Sequence, residues 1–146
     1  MNRETMSRII KIVTIFCFTL ISLGFLACER SISKKYDGDF YFTTIRSARN
    51  YPGLPPNYVD EVYFHGSIEA ETDTRLKITY APKLLHESEN EVIYVDVDEN
   101  GELSCSDLGI HGHFEGKFSN KRTLSFIVSD GGLGGGYTNN VHGEKE

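Results

Sequence analysis

The chain is 146 residues long, with 21 acidic side chains against 15 Lys and Arg, a formal charge of −6, 39% hydrophobic residues and no tryptophan. That length fits one domain with an added targeting segment and leaves no room for a two-domain enzyme. The acidic balance argues against nucleic acid as a partner, which needs a cationic patch to displace counterions, and the composition is globular rather than disordered.

Residues 1–27 read as an address rather than as fold. Met1 to Lys11 carries Arg3, Arg8 and Lys11 against Glu4 alone, and Ile12 to Ala27 follows without a charge. This run suits a signal h-region and falls short of the roughly twenty apolar residues of a stable membrane span. Ala27 precedes Cys28, and the sequence turns polar at Glu29-Arg30-Ser31. Phe25-Leu26-Ala27-Cys28 resembles a bacterial lipobox, in which cleavage leaves the cysteine as the lipidated N-terminus; Phe25 and Leu26 depart from the usual Leu and the usual Ala or Ser. A plain signal peptide cut nearby and an uncleaved anchor are the competing readings.

Under the lipobox reading, residues 1–27 are the lipoprotein signal peptide, 28–37 a lipidated N-terminus and tether, and 38–146 the folded domain. Acyl chains on Cys28 then hold the protein to the membrane, because the acidic mature chain gains nothing from an anionic bilayer surface. With Cys17 removed and Cys28 acylated, Cys105 is the one thiol left. It cannot form an internal disulfide and reads as a small buried hydrophobe.

From Asp39 onward the pattern has period two. Asp39–Arg46 is rich in aromatic and β-branched residues and reads as a strand. Ser47–Tyr58 holds Pro52-Gly53 and Pro55-Pro56 and reads as a loop. Val59–Ala70 alternates, with Val62, Phe64, Gly66, Ile68 and Ala70 on one face, and Leu76, Ile78 and Tyr80 continue an apolar face after a turn at residues 71–74. Glu91–Val97 and Glu102–Ser106 flank Asn100-Gly101, a hairpin signal because both residues accept positive φ. Ile110–Ser119, Thr123–Ser129 and Tyr137–His142 complete about eight strands with no long helix. The expected inward set is Phe40, Phe42, Val62, Phe64, Ile68, Leu76, Ile78, Ile93, Val95, Leu103, Phe114, Phe118, Leu124, Phe126 and Val128. No charged residue falls in it, and Gly66, Gly112 and Gly116 subtract side-chain volume from the same face.

This is an all-β chain, an antiparallel meander of about eight strands closed or nearly closed as a barrel, with a β-sandwich as the alternative. Closure removes exposed edges. Tyr36-x-Gly38-x-Phe40 and the run from Gly116 to Gly143 resemble small lipocalin-like or calycin-like lipoproteins of the Bacteroidota, although Phe40 stands where lipocalins usually place Trp. The resemblance implies a ligand-binding barrel. It also implies a periplasm-facing protein of the outer membrane, because Glu29-Arg30-Ser31-Ile32-Ser33 lacks the acidic run that favours surface export in that group.

Few constellations point to chemistry. Asp96-x-Asp98-x-Asn100-Gly101 with Asp107 downstream has the spacing of a calcium loop, but strands flank it where helices belong, so a plain hairpin turn is the favoured reading. His111-x-His113-x-Glu115 would share one strand face with ligand-type side chains, and His65 and His142 have nothing to fix them nearby, so a solvated face is expected. Gly131–Gly136 lacks the Lys and Ser or Thr of a phosphate loop. No catalytic dyad, cofactor motif or metal site emerges, and the chain reads as a non-enzyme. Two functions compete: uptake of an apolar small molecule inside the barrel, or an envelope module that contacts protein or glycan through its outer face or loops, with Tyr51, Tyr58 and Tyr63 as candidates.

Overall fold

The computed structural model describes residues 31–146 apart from 87, 109, 110, 133 and 134. Cys28 and the segment before it lie outside the described residues. Eight antiparallel strands follow one another around a closed barrel: β1 Gly38–Arg49, β2 Tyr58–Ala70, β3 Arg75–Pro82, β4 Asn90–Val97, β5 Glu102–Ser104, β6 Gly112–Asn120, β7 Thr123–Gly132 and β8 Gly135–Lys145. Closure comes from β1, which pairs with β2 on one side and β8 on the other, Phe42 facing both Phe64 and Gly143 in register. The meander and the closed barrel are thus both present, and the sandwich is not.

Strands β1, β7 and β8 extend beyond their sequence reading. Ser47, Ala48 and Arg49 belong to β1 rather than to the following loop, because Ser47 and Ala48 pair with Val59 and Tyr58 while all three pair with Thr138, Tyr137 and Gly136. The glycine run is likewise strand on both sides, with Gly131 opposite Gly136 and Gly132 opposite Gly135. The tether is not free chain either. Ser33–Lys35 forms a 3-10 turn, Ser33 N–H donates to the Asp73 carbonyl at 3.0 Å, and the Tyr36 ring stacks on Phe118 at 3.8 Å. Ser33 and Tyr36 are buried, so this turn plugs the barrel end that carries the β2–β3, β4–β5 and β6–β7 turns.

The core follows the period-two expectation over most of its length. Phe40, Phe42, Ile68, Leu76, Ile78, Ile93, Val95, Leu103, Phe118, Leu124, Phe126 and Val128 are buried, with Tyr80, Val97 and Val141 added from the same parity. Val62, Phe64 and Phe114 are only half-buried. Two expectations fail. The space expected at Gly66 and Gly116 is already taken: a Cβ on Gly66 would overlap the Thr79 carbonyl oxygen and stand 3.0 Å from the Phe42 ring, and one on Gly116 would stand 2.7 Å from Phe126 Cβ. Glycine is required at these positions by close approach, not left over from a void. The inward face is also not free of charge, since Arg46 is buried within it.

Candidate functional site

The two ends of the barrel differ in chemistry. At the plugged end the inward residues are phenylalanines and aliphatics. At the other end β2 runs without β3 beside it, because those strands pair only from Ser67 to Ala70, and β5, which starts at the plugged end, pairs with each neighbour over only two register positions. Inward positions here are polar: Thr44 and Arg46 on β1, Tyr58 and Asp60 on β2, Tyr80 on β3, Glu91 on β4, Asp130 on β7, and Tyr137 and Asn139 on β8. A rim cleft of about 600 Å³ opens at this end, lined by Ala48, Asn50, Tyr58, His111, Asp130 and Tyr137 among others.

Arg46 and Asp60 are register partners across β1 and β2, so parity alone points both side chains inward. Arg46 Nε–H donates to Asp60 Oδ1 at 2.9 Å, a second guanidinium nitrogen donates to Oδ2, and Nη1 donates to the Pro82 carbonyl at 3.1 Å. Tyr58 O–H adds a bond to Asp60 Oδ2 at 2.8 Å. Burial works to raise the Asp60 carboxyl, but the hydrogen bonds from Arg46 and Tyr58 outweigh it and hold it below the ordinary carboxylate range. Deeper in, Asn139 Nδ2 donates to the Tyr80 hydroxyl at 3.2 Å, and the Tyr80 ring meets Phe126 edge-on at 5.1 Å. Burial pushes the Tyr80 phenol well above its usual range, so it stays a neutral donor.

Glu91 faces the same space with no hydrogen bond from a described residue. Burial raises its carboxyl above the usual range, against the opposing pull of Lys83 and Arg46. A group whose folded value is raised adds stability at low pH and loses that contribution as pH rises through the folded value. At pH 7 the charge is therefore a cost, and Glu91→Gln is expected to stabilise the barrel by roughly 1 kcal/mol or less, a few degrees in Tm. Thermal melts check this: the gap between variant and wild type closes as the buffer approaches about pH 4, where the folded carboxyl is protonated.

The motifs singled out in the sequence are not brought together here. Asp98 caps the β4–β5 turn, its Oδ1 accepting from the N–H groups of Asn100 at 2.9 Å and Glu102 at 2.8 Å, with Gly101 at φ 81°. Asp107 is bonded to Arg75, which also lies 3.9 Å from Asp96, so these carboxylates serve a hairpin and an ion pair. His113 and Glu115 are exposed on the outer face of β6, and His111 stands at the rim. His65 Nδ1 lies 2.6 Å from Glu146 Oε1 on the outside, and His142 bonds Ser125 at 3.0 Å. Among the described residues no three His, Cys, Asp or Glu side chains converge as metal ligands. Cys105 is half-buried against the core, its thiol 3.3 Å from the Tyr94 carbonyl oxygen. Of the three tyrosines, Tyr51 and Tyr58 belong to the open rim, and only Tyr63 faces outward, stacked on Tyr41 at 6.2 Å.

Neither a family model nor a curated protein matches the chain. Among solved structures it is similar to an odorant binding protein, OBP1, at 19% identity over 78% of this chain and 73% of that one, with a TM-score of 0.43. It is also similar to the ywiB protein from Bacillus subtilis, at 10% identity over 76% of this chain and 94% of that one, TM-score 0.43. Aphrodisin, a sex pheromone from female hamster, is similar at 17% identity over 76% of this chain and 75% of that one, TM-score 0.38. Such likenesses carry nothing about a ligand, and the barrel rests on its own strand pairing. That pairing makes the chain an eight-stranded up-and-down β-barrel, the architecture that lipocalins share.

Proposed function

We propose that this chain is a non-catalytic, lipid-anchored protein of a bacterial cell envelope, acylated at Cys28 and facing the periplasm from the outer membrane, whose barrel takes a small ligand with an apolar or amphipathic body at its open end. The observation that carries the ligand reading is the asymmetry of the barrel: one end is plugged by the Ser33–Lys35 turn and Tyr36, the other opens into a cleft of about 600 Å³ with buried polar groups behind it. The cleft is concave and lined mainly by polar groups, Asn50, His111 and Asp130 among them, with the Tyr58 and Tyr137 rings beside them, so it suits a small ligand that offers polar atoms as well as an apolar body. The anchor rests on the cationic start, the uncharged run and the Ala27-Cys28 junction. A second reading, docking of an envelope protein or glycan, is favoured by one observation: Tyr41 and Tyr63 stack on the outer face at 40% and 58% exposure.

Two measurements test the proposal. Metabolic labelling with a fatty-acid analogue should mark the wild type and not Cys28→Ser; equal labelling of both, or none of either, overturns the anchor. For the ligand, the full chain in detergent is titrated with 2-naphthylmethanol, 2-naphthoate and 2-naphthylmethylamine, following probe fluorescence. A Cβ on Gly132 meets nothing within 4 Å, so Gly132→Phe fills the rim cleft without a clash at the backbone. At least one probe should saturate and lose about tenfold or more in affinity in that variant. If no probe saturates, or Gly132→Phe leaves every affinity unchanged, the open-end site is wrong, and the outer-face reading takes its place.

A further inference from the structure

We infer that the open edge of β2 pairs, antiparallel and centred on Tyr63, with the same edge of a second copy of this chain.

The edge exists because β3 leaves the wall. β1 flanks β2 along its length, from Gly38 opposite Ile68 to Ala48 opposite Tyr58, but β3 flanks it only from Ser67 to Ala70. At Gly66, on inward parity, β3 passes beneath β2, so that a Cβ there would overlap the Thr79 carbonyl oxygen. Beyond that point the Tyr80 and Pro82 carbonyls accept from inward side chains of β1, Thr44 Oγ1 at 3.5 Å and Arg46 Nη1 at 3.1 Å. The β3–β4 register shifts at the same place, between Thr79 and Ala81. Among the described residues, no other strand or loop bonds the β2 backbone from Val59 to His65 on the side away from β1. A row of unpaired N–H and C=O groups is a template for another strand, and proteins that keep such an edge single often set Lys or Pro on it. Tyr58–His65 has neither, and Val59 and Tyr63 are 65% and 58% exposed. Val62 and Phe64 face inward yet stay half-buried, because the neighbour that would cover them has turned away.

The side chains on this edge select a second copy as the occupant. Residues opposite one another in an antiparallel pair share a face, so a twofold-symmetric pairing is centred on a residue set against itself. Centring on Asp60 or Glu61 opposes a carboxylate to its own copy, and centring on Val62 leaves Glu61 opposite tyrosine. Centring on Tyr63 sets Tyr63 against the partner's Tyr63, Glu61 against the partner's His65 at both ends, and Val62 against the partner's Phe64 on the inward face. Aromatic pairs and opposite charges are the favourable cross-strand neighbours. The Tyr63 ring already stacks on Tyr41, and His65 is exposed beside Tyr41 at 5.0 Å, so the outer aromatic cluster continues across the axis. Glu61–His65 on each side is far smaller than the roughly twenty to thirty residues a side of a standard interface. The pairing is therefore weak and depends on concentration.

Sedimentation of the full chain in detergent tests this, and should show a monomer–dimer equilibrium that shifts with protein concentration. His65→Glu opposes Glu to the partner's Glu61 at both ends and should weaken the dimer about tenfold or more. Adding Glu61→Lys restores opposite charges and should return the affinity to within about threefold of wild type, with thermal melts confirming that each variant folds. Oxidative cross-linking reads the register. Tyr63→Cys should give a covalent dimer, because opposed Cα atoms lie about 4.5–5.5 Å apart, within reach of a disulfide. Val59→Cys, on the more exposed residue, should behave as the wild type, its copy standing about 26 Å away along the strand. A chain that is monomeric at every concentration overturns the second copy and leaves the edge to an extended segment of another protein. A dimer indifferent to His65→Glu, or one that cross-links as readily through Val59→Cys as through Tyr63→Cys, overturns the pairing centred on Tyr63.

Discussion

Arg46→Met should destabilise the barrel by about 3 kcal/mol, because it leaves the Asp60 carboxylate facing inward without its bidentate partner. The Arg46 and Asp60 side chains are 10% and 25% exposed, so the pair is largely withdrawn from water. Breaking a buried pair costs about 3–5 kcal/mol, and the low end applies because Asp60 keeps the Tyr58 hydroxyl and a quarter of its exposure. Removing both charges is a different experiment. Arg46→Met with Asp60→Leu should recover most of the loss, since an apolar pair of similar volume replaces an ion pair without an orphaned charge. The sign with pH follows from Asp60, whose folded value is held below the unfolded one: the pair's contribution is present above about pH 3.9 and is lost as pH falls through the lowered folded value. Urea unfolding at pH 7 and in acid should therefore show the penalty of Arg46→Met shrinking at low pH. A constant penalty would mean that the arginine acts through packing of its stem rather than through the pair.

Much of this geometry lies in the sequence, and the part that does not has identifiable causes. Period-two alternation places most of the buried core, because each strand presents one face inward and side-chain direction is local. Arg46 has the same parity as Phe40 and Phe42, and Asp60 the same parity as Val62 and Phe64, so both inward directions were legible. A core list drawn from apolar residues alone passes over them; the signal is two opposite charges on inward parity of strands joined by one loop. The extension of β1 through Arg49 is not legible, because the proline-rich stretch after it reads as loop and only β8, about ninety residues away, pairs along the whole extension, β2 reaching no farther than Ala48. Nor could local sequence show that Asp107 is held by Arg75, thirty-two positions earlier. The same limit governs the glycines. A missing side chain reads as missing volume, yet which ring enters that volume is set by contacts across the barrel.

Phe42 is where that last point becomes measurable. Its side chain is fully buried, its ring centroid lies 5.8 Å from that of Phe40, and it occupies the room left by two glycines on flanking strands. Phe42→Ala should cost about 3–5 kcal/mol, the transfer term plus the void left in a barrel that cannot collapse around its own hydrogen-bonded wall. The void would be dry and apolar, so benzene in the buffer should raise the variant's Tm and leave the wild type nearly unmoved. Gly143 gives the sharper test. A Cβ there would stand 2.6 Å from Phe42 Cε1, its three nearest atoms all belong to that ring, and the backbone has no positive φ to penalise alanine. In the wild type Gly143→Ala should thus overpack and cost about 1–3 kcal/mol. In the Phe42→Ala background the same methyl enters empty space and should be neutral or stabilising. The double-mutant cycle then carries a coupling energy of about 1–3 kcal/mol between positions 42 and 143. Equal costs of Gly143→Ala in both backgrounds would show that the ring does not fill the glycine space, and the barrel interior would again be open to a ligand.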